Sequence, residues 1–216
     1  MISSPGPLES AVDQLPPMPG ATLIYMRDFL SSDQAFRFHV ALRKELHWNQ
    51  GVVTVFGKRH PIPRLEAWHG DPGATYQYSG SDHDPQSWTP TLQKIRAKLR
   101  LVREDFEFNS VLGNLYRNGA DAMGWHSDDE PELGKTPCIA SLSFGASRDF
   151  LLRHRTRKDL EPVKIHLETG SLLIMEGATQ EHWHHSIPRR RGKNSPGERI
   201  NLTFRKILSQ YSQCSR

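Results

Sequence analysis

The chain has 216 residues, 36% of them hydrophobic and 24% charged, a balance that suits one globular core and excludes both a disordered segment and a miniature scaffold. Lys and Arg number 28 against 24 Asp and Glu, a net charge of +4, which permits an anionic partner such as nucleic acid without identifying one. The two cysteines, Cys138 and Cys214, form no CxxC pair, so neither a disulfide framework nor a cysteine zinc site is expected and the reducing interior of a cell fits best.

The opening MISSPGPLES has no charged n-region and no apolar h-region, and no apolar run approaches the ~18 residues that span a bilayer. The expectation is an unsecreted, intracellular protein without a membrane partner, cytoplasmic or, where the source has a nucleus, nuclear. Pro5, Pro7, Pro16, Pro17 and Pro19 crowd the first twenty residues and bar a regular element there, so residues 1–20 read as a flexible leader. Ala21 to Tyr25 reads as a strand. Ser31-x-x-Gln34 has the capping-box spacing and predicts a helix over about Ser32 to Leu46, with Ala35, Phe38, Leu42 and Leu46 on one face. A second helix is predicted near Thr91 to Val102, with Leu92, Ile95, Leu99 and Val102 as its apolar stripe.

Beyond Phe106 the texture changes to short alternating or β-branched stretches at Phe108–Tyr116, Cys138–Gly145, Phe150–His154, Val163–Glu168, Ser171–Met175, His182–Ile187 and Arg199–Lys206. Two early helices and a run of strands predict an α+β fold. Strands in succession without intervening helices favour an antiparallel sandwich or barrel over a parallel doubly wound sheet.

The chemistry begins at Trp125-His126-Ser127-Asp128. In an extended segment residues i and i+2 point the same way, so one strand presents an imidazole and a carboxylate together. A third metal ligand must come from elsewhere, and the other histidine-dense stretch is His182-Trp183-His184-His185. Two histidines and one carboxylate leave coordination positions open, as non-haem Fe(II) chemistry with oxygen requires. The competing reading is a chance His-x-Asp pair among 11 histidines, or a turn.

Arg199 to Arg205 alternates strictly, with Ile200, Leu202 and Phe204 on one face and Arg199, Asn201, Thr203 and Arg205 on the other. Asn109 to Tyr116 alternates too, so that Leu112, Asn114 and Tyr116 share a face. Guanidinium, amide and hydroxyl groups together make a carboxylate pocket, which beside metal ligands points to iron and a keto-acid co-substrate. A half-exposed strand with solvated arginines is the plainer alternative. Six residues separate Arg199 from Arg205, roughly 20 Å of extended strand, so both reach one small molecule only if the strand bends or the side chains converge.

Asn114-x-Tyr116, Gly124-Trp-His126-Ser-Asp128-Asp-Glu130, Ile139-Ala-Ser-Leu-Ser-Phe-Gly-Ala146, His182-Trp-x-His185-Ser-Ile-Pro188 and Arg199-Ile-Asn-Leu-Thr-Phe-Arg205 follow one another in this order. Together they resemble the AlkB family of Fe(II)/2-oxoglutarate dioxygenases, in particular its DNA-repair branch, over about Val52 to Lys206. The resemblance implies a double-stranded β-helix, a jelly-roll core with the N-terminal helices packed outside. It implies His126, Asp128 and His185 as iron ligands, leaving His182 and His184 structural or behind the ligands. It assigns 2-oxoglutarate to Asn114, Tyr116, Arg199, Thr203 and Arg205, with O2 as the remaining reactant. A single domain over residues 21–208 follows, with a nucleotide-recognition region and helices in 21–105, the core in 106–208 and a tail in 209–216.

Val55-Phe-Gly-Lys58, Pro61-Ile-Pro-Arg64 and Tyr76-x-Tyr78-Ser-Gly80 resemble that branch's nucleotide-recognition region. Chemistry on a base requires the base to leave the stack. Tyr78 is the candidate stacking platform, with His126 on the opposite face of the base. Tyr76 and Asp129 are candidates for hydrogen bonds to it, Arg64 for a further substrate contact, and Phe56 for a wedge in the vacated stack. Tyr76 and Tyr78 are alternatively plain strand residues, and Phe56 a core anchor. The basic runs Arg153-His-Arg155-Thr-Arg157-Lys158 and Arg189-Arg-Arg191-Gly-Lys193 suit phosphates or, individually, solvated loops.

The expected activity is oxidative demethylation of 1-methyladenine and 3-methylcytosine in DNA, with 2-oxoglutarate converted to succinate and CO2 and the methyl group lost as formaldehyde. The expected partner is alkylated DNA; no obligate protein partner is evident, and a monomer suffices. The rivals are the same chemistry on RNA, protein or lipid, a zinc-bearing nucleic-acid-binding module without catalysis, and a cupin-like oxygen-using enzyme independent of 2-oxoglutarate.

Overall fold

The computed structural model describes residue 13 and residues 15–55, 57–74, 76–78 and 81–208, without the side chains of 55, 76–78 and 81–83. Strand β1 (Thr22–Met26) leads into helix α1 (Ser32–Glu45). Both halves of the capping box form there: Ser31 Oγ accepts from the Gln34 N–H, and Gln34 Oε1 accepts from the Ser31 N–H. Strands β2 (Val52–Val55) and β3 (Lys58–Pro61) pair as a separate hairpin. After β4 (Leu65–Gly70), β5 (Tyr76–Tyr78) and β6 (Ser81–His83) form a second small ribbon. Helix α2 (Pro90–Val102) starts on a Thr89 cap with proline in its first turn, where a missing N–H costs nothing.

The rest is strands β7 (Ser110–Tyr116), β8 (Met123–His126), β9 (Ile139–Gly145), β10 (Arg148–His154), β11 (Val163–Leu167) and β12 (Leu172–Glu176), the short helix α3 (Thr179–His182), then β13 (Trp183–Ile187) and β14 (Arg199–Arg205). Two antiparallel sheets result, one ordered β1-β12-β9-β14-β7-β4 and the other β11-β10-β13-β8. This is the jelly-roll architecture, and it carries the predicted α+β class.

Two apolar cores position everything else. One lies between the helices and the outer face of the larger sheet, where Leu42, Leu92, Ile95 and Leu99 meet Leu142, Phe144, Ile200, Leu202 and Phe204. The other lies between the sheets, built from Tyr116, Ile139, Phe150, Leu152, Leu173 and Trp183. Strand β14 is therefore central and buried along its whole length, so the alternation Ile200, Leu202, Phe204 against Arg199, Asn201, Thr203, Arg205 divides two interiors rather than core from solvent. Leu42 is fully buried. Leu42→Ala is expected to cost about 3 kcal/mol in urea unfolding, whereas Phe36→Ala, at a 66% exposed position on the same helix, stays within about 0.5 kcal/mol.

Three sequence readings are corrected. His182 ends α3 rather than opening the strand that follows. β10 begins two residues earlier than read, at Arg148, because that arginine is buried and points inward. β4, not anticipated, closes the larger sheet against β7.

Candidate active site

Strands β8 and β13 pair antiparallel with His126 opposite His185, and the two rings lie 4.2 Å apart between centroids. Asp128 follows two residues on, and ligand atoms of His126, Asp128 and His185 all lie within 4.8 Å of one another. His126 Nδ1 meets the Gly124 carbonyl at 2.9 Å, which as the N–H tautomer leaves Nε2 unprotonated toward the other two residues. Asp128 Oδ1 accepts from Arg205 Nη2 at 2.7 Å, while Oδ2 is 4.0 Å from His185 Nε2. The Asp128 backbone N–H donates to Gln180 Oε1 at 3.0 Å, fixing the turn that carries the carboxylate.

Burial works to raise the Asp128 carboxyl, but Arg205, with His185 and His126, outweighs it and holds the group below its ordinary range. Burial and the neighbouring His126 push His185 down to about 3, so its imidazole is neutral. Two imidazoles and one ionised carboxylate converging from one side are a donor set for a mononuclear metal with open positions. His185 Nδ1 is buried without a hydrogen-bond partner among the described residues.

The same cavity continues between the sheets from the triad to Asn114, Tyr116, Arg199, Asn201 and Thr203. Register explains the gathering: β14 lies between β7 and β9, with Arg199 beside Tyr116, Asn201 beside Asn114 and Thr203 beside Leu112. Arg199 is 1% exposed, and its Nε and Nη1 have no partner among the described residues. Its guanidinium lies 5.3 Å from the Tyr116 ring centre and donates from Nη2 to Ser143 Oγ at 3.0 Å. Burial pushes it down to about 10, still charged at neutral pH. A buried, charged fork with two unspent donors is an incomplete structure that an anionic group completes. The two arginines thus divide the work, Arg205 at the carboxylate of the triad and Arg199 at the far end of the cavity.

Some residues stand elsewhere than the sequence suggested. Arg64, expected at the nucleic-acid contact, is 3% exposed and turned inward. Its Nε donates to Asn114 Oδ1 at 2.8 Å and its Nη2 to Glu66 Oε1, so it orients the Asn114 amide from behind. Arg64→Leu is expected to release the Asn114 amide and so weaken binding of a carboxylate ligand in the cavity about tenfold in a titration while leaving the metal content unchanged, the cost of one charge-assisted bond. Asp129 is exposed and paired with Arg155 Nη1 at 2.8 Å, so its charge is already matched. Tyr76 and Tyr78 belong to β5, but their side chains, and all of Phe56, lie outside the described residues. Asn201 lines the cavity too, on the face that alternation predicts, although the family resemblance assigns it no ligand. Its Nδ2 donates to Ser141 Oγ at 2.8 Å and its Oδ1 accepts from Thr203 Oγ1 at 3.1 Å. Gln180 and Ser143 gave no local signal.

A jelly roll that holds two imidazoles, a carboxylate and a buried guanidinium around one cavity defines a mononuclear-metal protein with an adjoining anion pocket. Comparison with known proteins makes the class specific. Residues 22–205 match the family described as 2OG-Fe(II) oxygenase superfamily. DNA oxidative demethylase ALKBH2 of Mus musculus is 44% identical over 186 residues, 82% of this chain and 75% of that protein. ALKBH2 of Homo sapiens is 45% identical over 176 residues, 77% of this chain and 66% of that protein. Alpha-ketoglutarate-dependent dioxygenase alkB homolog 3 of Homo sapiens is 45% identical over 173 residues, 77% of this chain and 59% of that protein. The solved structure titled "The structure of OsALKBH1" superposes with a TM-score of 0.62 at 22% identity, over 90% of this chain and 99% of that one, which bears on the fold. The chain belongs to the 2OG-Fe(II) oxygenase superfamily and, within it, to the AlkB family. Membership implies Fe(II), 2-oxoglutarate and O2 as the reactive components. Among the described residues no helix is long and apolar enough to cross a membrane.

Proposed function

We propose that this chain is a DNA oxidative demethylase in which His126, Asp128 and His185 hold Fe(II), and Asn114, Tyr116, Arg199, Asn201 and Thr203 hold 2-oxoglutarate. The observation that carries the reading is the single cavity in which the three metal-ligating side chains face Arg199, a buried cation with unspent donors. The nucleic-acid substrate rests on the relatives, whose names state DNA oxidative demethylation. Alkylated DNA is then the partner, the interior of the cell the place of action, and residues 21–105 the region that meets the nucleotide.

Bound Fe(II) with O2 supplies the oxidising chemistry, in which 2-oxoglutarate loses CO2 to become succinate and a methyl C–H of the base becomes C–OH. The chain's own contribution is orientation and charge. Arg205 keeps Asp128 ionised, so the carboxylate remains a ligand rather than an acid. Arg199 takes the distal carboxylate of the diacid and sets its distance from the triad, while the Asn114 amide, oriented by Arg64, and the Tyr116 hydroxyl take the remaining oxygens. The N-hydroxymethyl product then expels formaldehyde as its hydroxyl proton leaves and the base nitrogen takes back the electron pair. No protein nucleophile is needed, and Cys138, whose thiol burial pushes up to about 12, supplies none.

The test is formaldehyde release from oligonucleotides bearing 1-methyladenine or 3-methylcytosine, as DNA and as RNA, with and without 2-oxoglutarate, beside His126→Ala. Release from DNA that requires both 2-oxoglutarate and His126 is the expected result. Succinate formation without repair of DNA moves the substrate to RNA or protein, and neither product from iron-loaded protein removes the dioxygenase reading.

A further inference from the structure

Immediately before the ligand His126 on β8, Trp125 is 38% exposed, and β8 is an edge strand. Arg153 of β10 lies with its guanidinium 4.2 Å from the centre of the Trp125 ring. Alternation places this pair on the outer face of the smaller sheet: Leu152 is fully buried and pairs with His185, whereas Arg153 is exposed and pairs with His184. The neighbouring cations are spent differently. Arg155 is matched by Asp129 and Arg157 by Asp159. Arg153 has no carboxylate partner among the described residues; it covers an indole instead.

An indole covered by a cation, 38% exposed and one residue from a metal ligand, has the features of a stacking shelf for a nucleobase. Aromatic faces bind unpaired bases of any sequence, and an adjacent arginine adds a phosphate contact. In a duplex the neighbouring bases are stacked on each other and unavailable. Building on the demethylase reading, we propose that Trp125 and Arg153 form a shelf for a nucleotide flanking the damaged base, so that this enzyme acts on single-stranded nucleic acid in preference to duplex.

The test compares wild type with Trp125→Ala, Trp125→Phe and Arg153→Gln, using unmodified single-stranded DNA, single-stranded RNA and duplex DNA in direct binding, and the same oligonucleotides carrying 1-methyladenine in repair. Trp125→Ala is expected to weaken single-strand binding about tenfold, as loss of one base–aromatic stack does. Its single-strand to duplex ratio of kcat/KM falls toward one, mostly through KM, and Trp125→Phe recovers part of the loss. Arg153→Gln is expected to lower the salt dependence of single-strand binding by about 0.7 of a logarithmic unit, one phosphate contact. The quenching of tryptophan fluorescence by single strands is expected to shrink in Trp125→Phe. A larger effect on RNA than on DNA would identify the strand without moving the shelf. Unchanged single-strand affinity in Trp125→Ala, or equal losses on single strand and duplex, overturns the proposal. Absence of repair by wild type on every substrate counts against the demethylase reading instead, and strand affinity alone then decides for or against the shelf.

Discussion

Asp128→Ala is expected to abolish turnover and also to destabilise the metal-free protein by about 3 kcal/mol, lowering its Tm by roughly 10 °C. The carboxylate is 5% exposed in its side chain and Arg205 is 7% exposed in its own, with 2.7 Å between them. Removing one member of a buried ion pair leaves the other charge desolvated without its counter-ion, which costs more than the pair itself contributed. The double variant Asp128→Ala, Arg205→Met is therefore expected to recover most of the lost Tm and none of the activity. Scanning calorimetry of chelator-treated protein separates this term from any stabilisation by bound metal. Equal Tm values for wild type and Asp128→Ala would show that the pair does not hold the site together.

Arg199→Met carries the opposite sign for stability. Wild type holds this guanidinium at 1% exposure, with Nε and Nη1 unpartnered among the described residues; burial opposes its charge most, and Arg148 adds to that against the support of Tyr116. Replacement by an apolar side chain of similar length is expected to leave the ligand-free protein as stable or more stable by about 1 kcal/mol. In an anaerobic titration of Fe(II)-loaded protein, 2-oxoglutarate is expected to bind at least a hundredfold more weakly, since the lost charge-assisted contact with a buried carboxylate is worth about 3 kcal/mol or more. A 2-oxo acid without the distal carboxylate, such as 2-oxobutyrate, is expected to bind both proteins alike. If the variant loses both acids in the same proportion, Arg199 shapes the pocket rather than recognising the diacid.

The parts of this site legible in the sequence were those written in local periodicity. Period-two alternation put Arg199, Asn201, Thr203 and Arg205 on one face, and Leu112, Asn114 and Tyr116 on another, because a strand's side-chain direction depends on its own residue count alone. Ser31 and Gln34 announced α1 for the same reason, both partners being local. Partnerships across the fold were silent. The inward turn of Arg64 depends on Asn114, fifty positions away along the chain. The anchoring of Asp128 depends on Gln180, in a helix of four residues too short to leave a periodic signature. Strand β4 was hidden because its polar residues are paired in ways that alternation does not show: Glu66 is held by Arg64, two positions earlier, and His69 meets the Ser87 carbonyl at 2.8 Å. The problem of two arginines six residues apart dissolves once β14 runs along the cavity, with Arg205 at Asp128 and Arg199 beside Tyr116.

The central claim is that one cavity joins oxidation of 2-oxoglutarate to removal of a methyl group from a base. Its most direct measurement is the ratio of succinate to formaldehyde formed while a 1-methyladenine oligonucleotide is repaired under limiting enzyme. Close to one succinate and one formaldehyde for each adenine restored is the predicted result, with all three products lost together in His185→Ala. Adenine restored without succinate, or formaldehyde that persists in the absence of 2-oxoglutarate, would contradict it.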